Sequence, residues 1–292
     1  MNPSLAFAPW PSSFRQNRAD ISKKIMEAKG CPFCKRTAVL TNEHLWSAWI
    51  GRGLGKTRYA FRQKDANGNI VRQKIRPGLD MKKRAVCAEC NNGWMSQLEN
   101  KVKPILADAI STGNKTSFDE PQLTTIAQFA LKNAIIADYT AEGRNPFFTT
   151  SARRKFAEGL TIPDGVQVWL ATFRDPLGHS GFFLSNYNML KGRSNPRNGF
   201  ELYVFTFSAG FLVMQVTASR WINPLIMSRY DAPVVRQDPL MKDFATEIWP
   251  LDRTPVTWPP PKAFESQGDI YLFNQRWKTI SVPFEASDLV GL

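Results

Sequence analysis

Apolar residues recur at three- and four-residue steps in two stretches of this chain, and in short β-rich runs elsewhere. Met95, Leu98, Val102, Ile105, Leu106 and Ile110 form the first stripe. It predicts a helix opening at Asn91-Asn92-Gly93-Trp94 and stopping near Gly113-Asn114. Leu123, Ile126, Ala127, Ala130, Leu131, Ala134 and Ile135 form the second stripe. Ser117-x-x-Glu120, with Pro121 in the first turn, is the capping signature expected ahead of that helix. A stripe of this width faces a core rather than a cofactor. A shorter helix is expected to begin at Ser151 and end before Gly159.

Strand patterns fill much of the remainder. Thr37-Ala38-Val39-Leu40 reads as a short strand, and Asn67-Gly68 between Tyr59-Ala60-Phe61-Arg62 and Ile70-Val71-Arg72 reads as a hairpin. Beyond Pro163, Val166–Phe173, Gly181–Leu190, Phe200–Phe207 and Phe211–Ala218 are rich in β-branched and aromatic residues, the last two pairing across Ser208-Ala209-Gly210. Trp249-Pro250 and Trp258-Pro259-Pro260-Pro261 mark an extended segment expected to wrap the surface. The fold class expected is α+β. An N-terminal module over 1–112 precedes a second domain over 113–292 that joins a helical segment to a mostly antiparallel sheet. No apolar run approaches the ~18 residues of a membrane helix. Met1–Trp10 lacks the basic start and apolar stretch of a secretory signal. The expectation is a soluble, cytoplasmic protein with reduced thiols and no membrane partner.

Charge changes the picture only when divided along the chain. The formal net charge is +13, of which residues 1–100 carry +11 (18 Lys and Arg against 7 Asp and Glu). A basic excess confined to one region is the footprint of a polyanion binder. Eleven basic residues lie between 51 and 84: Arg52, Lys56, Arg58, Arg62, Lys64, Arg72, Lys74, Arg76, Lys82, Lys83 and Arg84, opposed only by Asp65 and Asp80. A basic two-stranded arm of this kind would follow a phosphate backbone, setting affinity and salt sensitivity rather than sequence choice. Gly51-Arg52-Gly53-Leu54-Gly55-Lys56-Thr57 does not satisfy the phosphate-loop spacing, which excludes a nucleoside triphosphate site of that type.

All four cysteines sit in the basic region as two C-x-x-C pairs, Cys31-Pro-Phe-Cys34 and Cys87-Ala-Glu-Cys90. Two such turns complete a tetrahedral sulfur shell suited to zinc, and a closed four-Cys shell makes that zinc structural. Two disulfides are the competing explanation, disfavoured by a reducing compartment. Between the pairs lies Glu43-His44, and directly after Cys90 comes Asn91.

The order C-x-x-C, acidic-His, C-x-x-C-Asn on strand, strand and helix resembles the zinc-containing HNH (ββα-metal) endonucleases, over about residues 28–110. The resemblance implies a zinc-stapled ββα-metal module in which His44 is the general base and Glu43 and Asn91 hold one Mg²⁺ or Mn²⁺, with Asn92 the neighbouring competitor. It further implies DNA as the favoured substrate, 5′-phosphate and 3′-hydroxyl products, and a setting such as phage defence. Two departures stand out. The middle Asn of the motif is missing from Leu79-Asp80-Met81-Lys82-Lys83-Arg84-Ala85-Val86, leaving Asp80 or a backbone carbonyl in its place, and the insertion between Ile50 and Leu79 is long. The rival expectation is a non-catalytic zinc module that binds nucleic acid. His179, in Asp175-Pro176-Leu177-Gly178-His179-Ser180, reads as a solvated turn residue, and the second domain offers substrate selection, homo-oligomerisation or the sensing of a signal without distinguishing them.

Overall fold

The computed structural model describes residues 30–281, apart from 56–57, 65–69, 78, 80–81, 142–144, 176–180, 190–198, 230, 253 and 276. The chain is α+β, and among the described residues its paired strands run antiparallel, beside one isolated parallel bridge between Phe173 and Phe264. No helix among the described residues is long and apolar enough to cross a membrane.

The N-terminal elements are β1 (Leu40–His44), α1 (Ala48–Gly53), β2 (Arg58–Lys64), β3 (Ile70–Pro77), β4 (Lys82–Cys87) and α2 (Ala88–Cys90). A π turn over Asn91–Met95 then leads into α3 (Ser96–Thr112). β1 pairs with β4, and β2 with β3. The β2–β3 pair agrees with the expected hairpin, whose Asn67-Gly68 turn lies outside the described residues. Thr37–Val39 does not extend β1; Thr37 makes only an isolated bridge to Gly30, because the chain there is still closing the first cysteine turn. The helix also starts earlier than its apolar stripe. Cys87 occupies its N-cap, and Asn91 already lies inside it with φ −64° and ψ −53°. Gly93 breaks the regular helical angles and creates the π turn. Gly113 ends α3 in the left-handed region, as the stripe predicts.

β5 (Thr116–Phe118) and α4 (Glu120–Thr140) follow. The capping residue of α4 is Asp119, whose side chain accepts from Gln122 N while Gln122 Oε1 accepts from Asp119 N. Ser117 is instead a strand residue, opposite Thr257 of β12 (Val256–Trp258). α4 is buried all round rather than along one stripe: Phe129, Lys132, Asn133, Ile136 and Asp138 are as inaccessible as the predicted face. α5 (Thr150–Gly159) comes next. The main sheet joins β6 (Val166–Thr172), β7 (Gly181–Met189), β8 (Phe200–Ala209), β9 (Leu212–Trp221) and β11 (Ala245–Trp249) in the order β11-β6-β9-β8-β7, with α6 (Pro224–Arg229) and β10 (Val234–Gln237) between β9 and β11.

Every residue of β6 is buried, because the sheet is covered on both faces. On one face, Phe129 of α4 meets Phe207, and Tyr203 Oη donates to Ala134 O at 2.7 Å. On the other, Trp169, Ala171 and Val213 share a core with Phe273 of α7 (Gln267–Gln275). β8 and β9 turn through Gly210 and Phe211, one residue later than Ser208-Ala209-Gly210 suggests. Gly210 has φ 56°, and a Cβ there would sit 2.0 Å from Ile110 O, so only glycine lets this turn touch the end of α3. The Trp-Pro segment does not simply wrap the surface: Trp258 is fully buried and donates Nε1 to Ala171 O at 3.0 Å. One hydrophobic core runs from Phe33 and Trp46 through Leu106 and Phe129 to Phe205 and Trp258, on both sides of position 112.

Candidate metal centre and its surroundings

The four cysteine sulfurs lie within 4.8 Å of one another. Cys31 Sγ is 3.8 Å from Cys90 Sγ, and Cys34 Sγ is 3.6 Å from Cys87 Sγ. A tetrahedron with Zn–S bonds of about 2.3 Å has edges of about 3.8 Å. A disulfide needs about 2.05 Å, so these thiols are free and spaced for a shared ion. A closely placed four-cysteine group of this geometry can bind a metal such as zinc.

Protonation within the cluster is uneven. Burial alone would raise the Cys34 thiol, but side-chain and backbone bonds from Arg36 bring it down to about 6. Burial pushes Cys87 and Cys90 upward, with the neighbouring Cys31 adding to the rise at Cys90. Arg36 itself pairs with Glu89 on α2. Metal binding must therefore expel protons from the buried thiols, so proton release accompanies loading.

β1 and β4 carry the residues around this cluster. The register sets Leu40 opposite Cys87, Thr41 opposite Val86, Asn42 opposite Arg84, Glu43 opposite Lys83 and His44 opposite Lys82, with a bulge that leaves Ala85 as the extra residue. Asn91 closes the bulge: its Nδ2 donates to Thr41 Oγ1 at 3.0 Å and to Asn42 O at 3.4 Å, and Thr41 Oγ1 in turn donates to Val86 O at 2.9 Å. The helix start is thereby stitched to the ribbon at two points, by sulfur and by amide.

Alternation along β1 then separates its two chemical residues. His44 is half-buried on the side shared with exposed Asn42, Lys82 and Arg84. Glu43 faces inward with 3% exposure. Its Oε1 accepts from Lys132 Nζ of α4 at 2.8 Å, and the same ammonium donates to Glu99 Oε1 of α3 at 2.7 Å. Lys132 is completely buried. Burial works against its charge, but the fields and hydrogen bonds of Glu43 and Glu99 outweigh that and hold it protonated above its usual range. Burial likewise opposes ionisation of Glu99, while Lys132, with a smaller contribution from His44, keeps it below the usual carboxylate range.

Glu43 thus offers its Oε1 to the Lys132 ammonium, a cation that competes with the metal-ligand role expected of it. Asn91 turns its amide nitrogen to β1, and Asn92 is exposed. Among the described residues, the four cysteines are the only group of three or more Cys, His, Asp or Glu side chains placed to share an ion. No second, oxygen-ligated Mg²⁺ or Mn²⁺ site is marked out among the described residues. Lys132 and Glu99 are absent from the sequence reading. Lys132 stands mid-helix beside the apolar stripe, where the pattern reads as a solvated position, and its two partners lie 33 and 89 residues away.

Of the basic residues, Arg52, Lys82 and Arg84 are exposed and Lys83 is half-buried. Lys56 and the side chains of Arg58, Arg62, Lys64, Arg72, Lys74 and Arg76 lie outside the described residues, as do Asp80 and His179. No family model, no curated protein and no solved structure matches this chain.

Proposed function

We propose that this chain binds nucleic acid through a zinc-stapled ββα module and cleaves the phosphodiester backbone, with His44 as general base. The observation that carries the reading is the arrangement of four cysteines, one antiparallel ribbon and the helix that follows it. The ribbon sets the only histidine of its region on the same side as Lys82 and Arg84. Histidine is the side chain suited to taking a proton near neutral pH. In the proposed step His44 removes a proton from water, the water oxygen bonds to phosphorus, and the bond from phosphorus to the 3′ oxygen breaks, solvent supplying that oxygen's proton. Lys82 and Arg84 would meet the non-bridging phosphate oxygens, whose charge grows in the transition state. Lys83 sits opposite inward-facing Glu43 and is assigned no such contact. DNA is the substrate favoured by the resemblance, and no step is routed through Mg²⁺ or Mn²⁺.

The second reading, a zinc module that binds nucleic acid without cutting it, is favoured by one observation: Glu43 is committed to Lys132. Turnover separates the two. Purified full-length protein is incubated with supercoiled plasmid, with and without added Mg²⁺ or Mn²⁺, beside His44→Ala. Cutting is expected in wild type and reduced at least ~100-fold in the variant, the usual scale for losing a general base, with metal content unchanged. Equal cutting by both proteins removes His44 from the mechanism. Binding without cutting by either establishes the second reading.

A charge test follows from the ribbon register. Lys82→Gln with Arg84→Gln is expected to lower kcat more than it raises KM, because transition-state charge exceeds ground-state charge. Lys83→Gln, on the side of the ribbon that carries Glu43, is expected to change neither more than about twofold. Steady-state kinetics on an oligonucleotide duplex reads both, and equal effects from the two sets of substitutions would remove the facial assignment.

A further inference from the structure

α5 is fastened to the first cysteine turn. Its Arg153 is buried and donates Nε to Pro32 O at 3.2 Å, with its other nitrogens donating to Phe148 O and Thr150 Oγ1. Beside it, Phe33 of the cysteine turn meets Trp94 edge-on at 5.1 Å, and Trp94 meets Phe156 of α5 at 5.7 Å. The Arg153 guanidinium has lost solvent to make these bonds, and burial lowers its affinity for its proton. These contacts fix the outer face of α5 against Lys35, which follows Cys34 and holds a left-handed backbone with φ 58°.

Between them lies a cleft of about 290 Å³ lined by Lys35, Ser151, Arg154, Lys155 and Glu158. Arg154 pairs with Glu158 at 2.9 Å, leaving the lining with a net surplus of two positive charges. All five side chains are exposed, and the positive charges that the cysteine turn and α5 bring to this face give it a local field suited to an anion. We propose that this cleft is a phosphate-binding site for the backbone of the nucleic acid held by the zinc module, extending its footprint onto α5. It rests on the nucleic-acid reading above. The contact class is a phosphodiester met by a lysine, an arginine and a hydroxyl, positioned rather than sequence-reading. The metal has a second role in this arrangement, since the turn that carries two of its ligands also carries Lys35.

The test uses the full chain in a His44→Ala background, so that turnover does not distort binding. Affinity for a DNA duplex is measured by fluorescence anisotropy across a salt series for the parent and for Lys35→Gln/Arg154→Gln/Lys155→Gln. A second comparison removes two charges distant in sequence that do not line the cleft, Lys242→Gln/Lys262→Gln. The cleft variant is expected to bind at least ~10-fold more weakly, with the log–log salt slope shallower by about 2 or more, at ~0.9 per phosphate contact. The distant variant is expected to shift the slope by less than about 0.5. Arg154→Lys alone, which keeps the charge, retains parental affinity. Equal slopes in the parent and the cleft variant overturn the cleft while leaving nucleic-acid binding intact. Equal flattening by the distant variant overturns it as a general charge effect. A parent that binds no duplex at any salt overturns the functional reading and the cleft with it. Displacement of bound duplex by inorganic phosphate at concentrations too low for ionic screening overturns the backbone assignment in favour of a free-phosphate site.

Discussion

Removing the metal from the four-cysteine cluster, by strong chelation or by Cys87→Ser, is expected to melt the β1–β4 ribbon and lower the thermal midpoint by 10 °C or more, on the order of several kcal/mol. Cys87 has the largest leverage because it ends β4, caps α2 and lies 3.6 Å from Cys34 Sγ across the cluster. Without an ion, burial keeps the protons on Cys87 and Cys90, and their thiols pack against those of Cys34 and Cys31. The structural metal in small zinc modules supplies about 10–16 kcal/mol of apparent binding energy. The effect here is expected to be smaller, because Phe33, Leu45 and Trp46 also bury against α3 and the main sheet. Metal analysis should find one zinc per chain, lost on acidification as protons compete for the thiolates. Calorimetry with and without chelator reads the rest; an unchanged melting curve for metal-stripped protein would mean that packing alone holds the cluster.

Lys132→Met is expected to cost about 3–5 kcal/mol, because it leaves buried Glu43 and half-buried Glu99 beside each other with no counter-ion. The triple variant Glu43→Gln/Lys132→Met/Glu99→Gln should recover most of that loss, since it removes the charges together. The pH dependence has a definite sign. Glu99 is depressed in the folded chain, so its contribution is present above its unfolded pKa and disappears as pH falls through the folded value. Lys132 is raised, so its contribution is present below its unfolded pKa and disappears only as pH rises through the folded value. Urea midpoints should therefore hold through neutrality and fall in acid for wild type, and the triple variant should fall less steeply. A parallel acid limb in the two proteins would count against the triad as its source.

The same triad separates two roles for Glu43. Glu43→Gln preserves a hydrogen bond to Lys132 and removes a metal-binding charge. If Glu43 is a clamp on β1, kcat stays within about threefold of wild type and only the melting temperature shifts. A metal ligand would instead lose on the order of 10²-fold or more and require more Mg²⁺.

Local patterns carried much of the architecture. The 3.6-residue periodicity of Leu98, Val102 and Leu106 and of Leu123, Ile126 and Ala130 is a property of short windows, and both helices stand where it places them. So do strands β6 to β9, and in β6, β8 and β9 successive residues are buried on both faces. The two C-x-x-C turns were legible because the paired thiols belong to one turn each, and only their meeting required the fold. The shift of the α4 cap from Ser117 to Asp119 arises because Ser117 is taken by β12, a partner more than a hundred residues away. The direction in which Glu43 faces could not be read for the same reason: period-two alternation says that Glu43 and His44 diverge, but not which one meets the core.

That choice belongs to Lys132, a residue 89 positions later whose ammonium selects the inward carboxylate. Composition, periodicity and cysteine spacing thus determined the α+β class, the main helices and strands and the membership of the sulfur cluster, because each depends on neighbours in sequence or on chemistry intrinsic to the residue. Tertiary packing alone decided the fate of Glu43, the bulge closed by Asn91 and the meeting of α5 with Lys35. Each of these joins groups distant in sequence, and a buried charge takes its role from whichever partner the fold delivers.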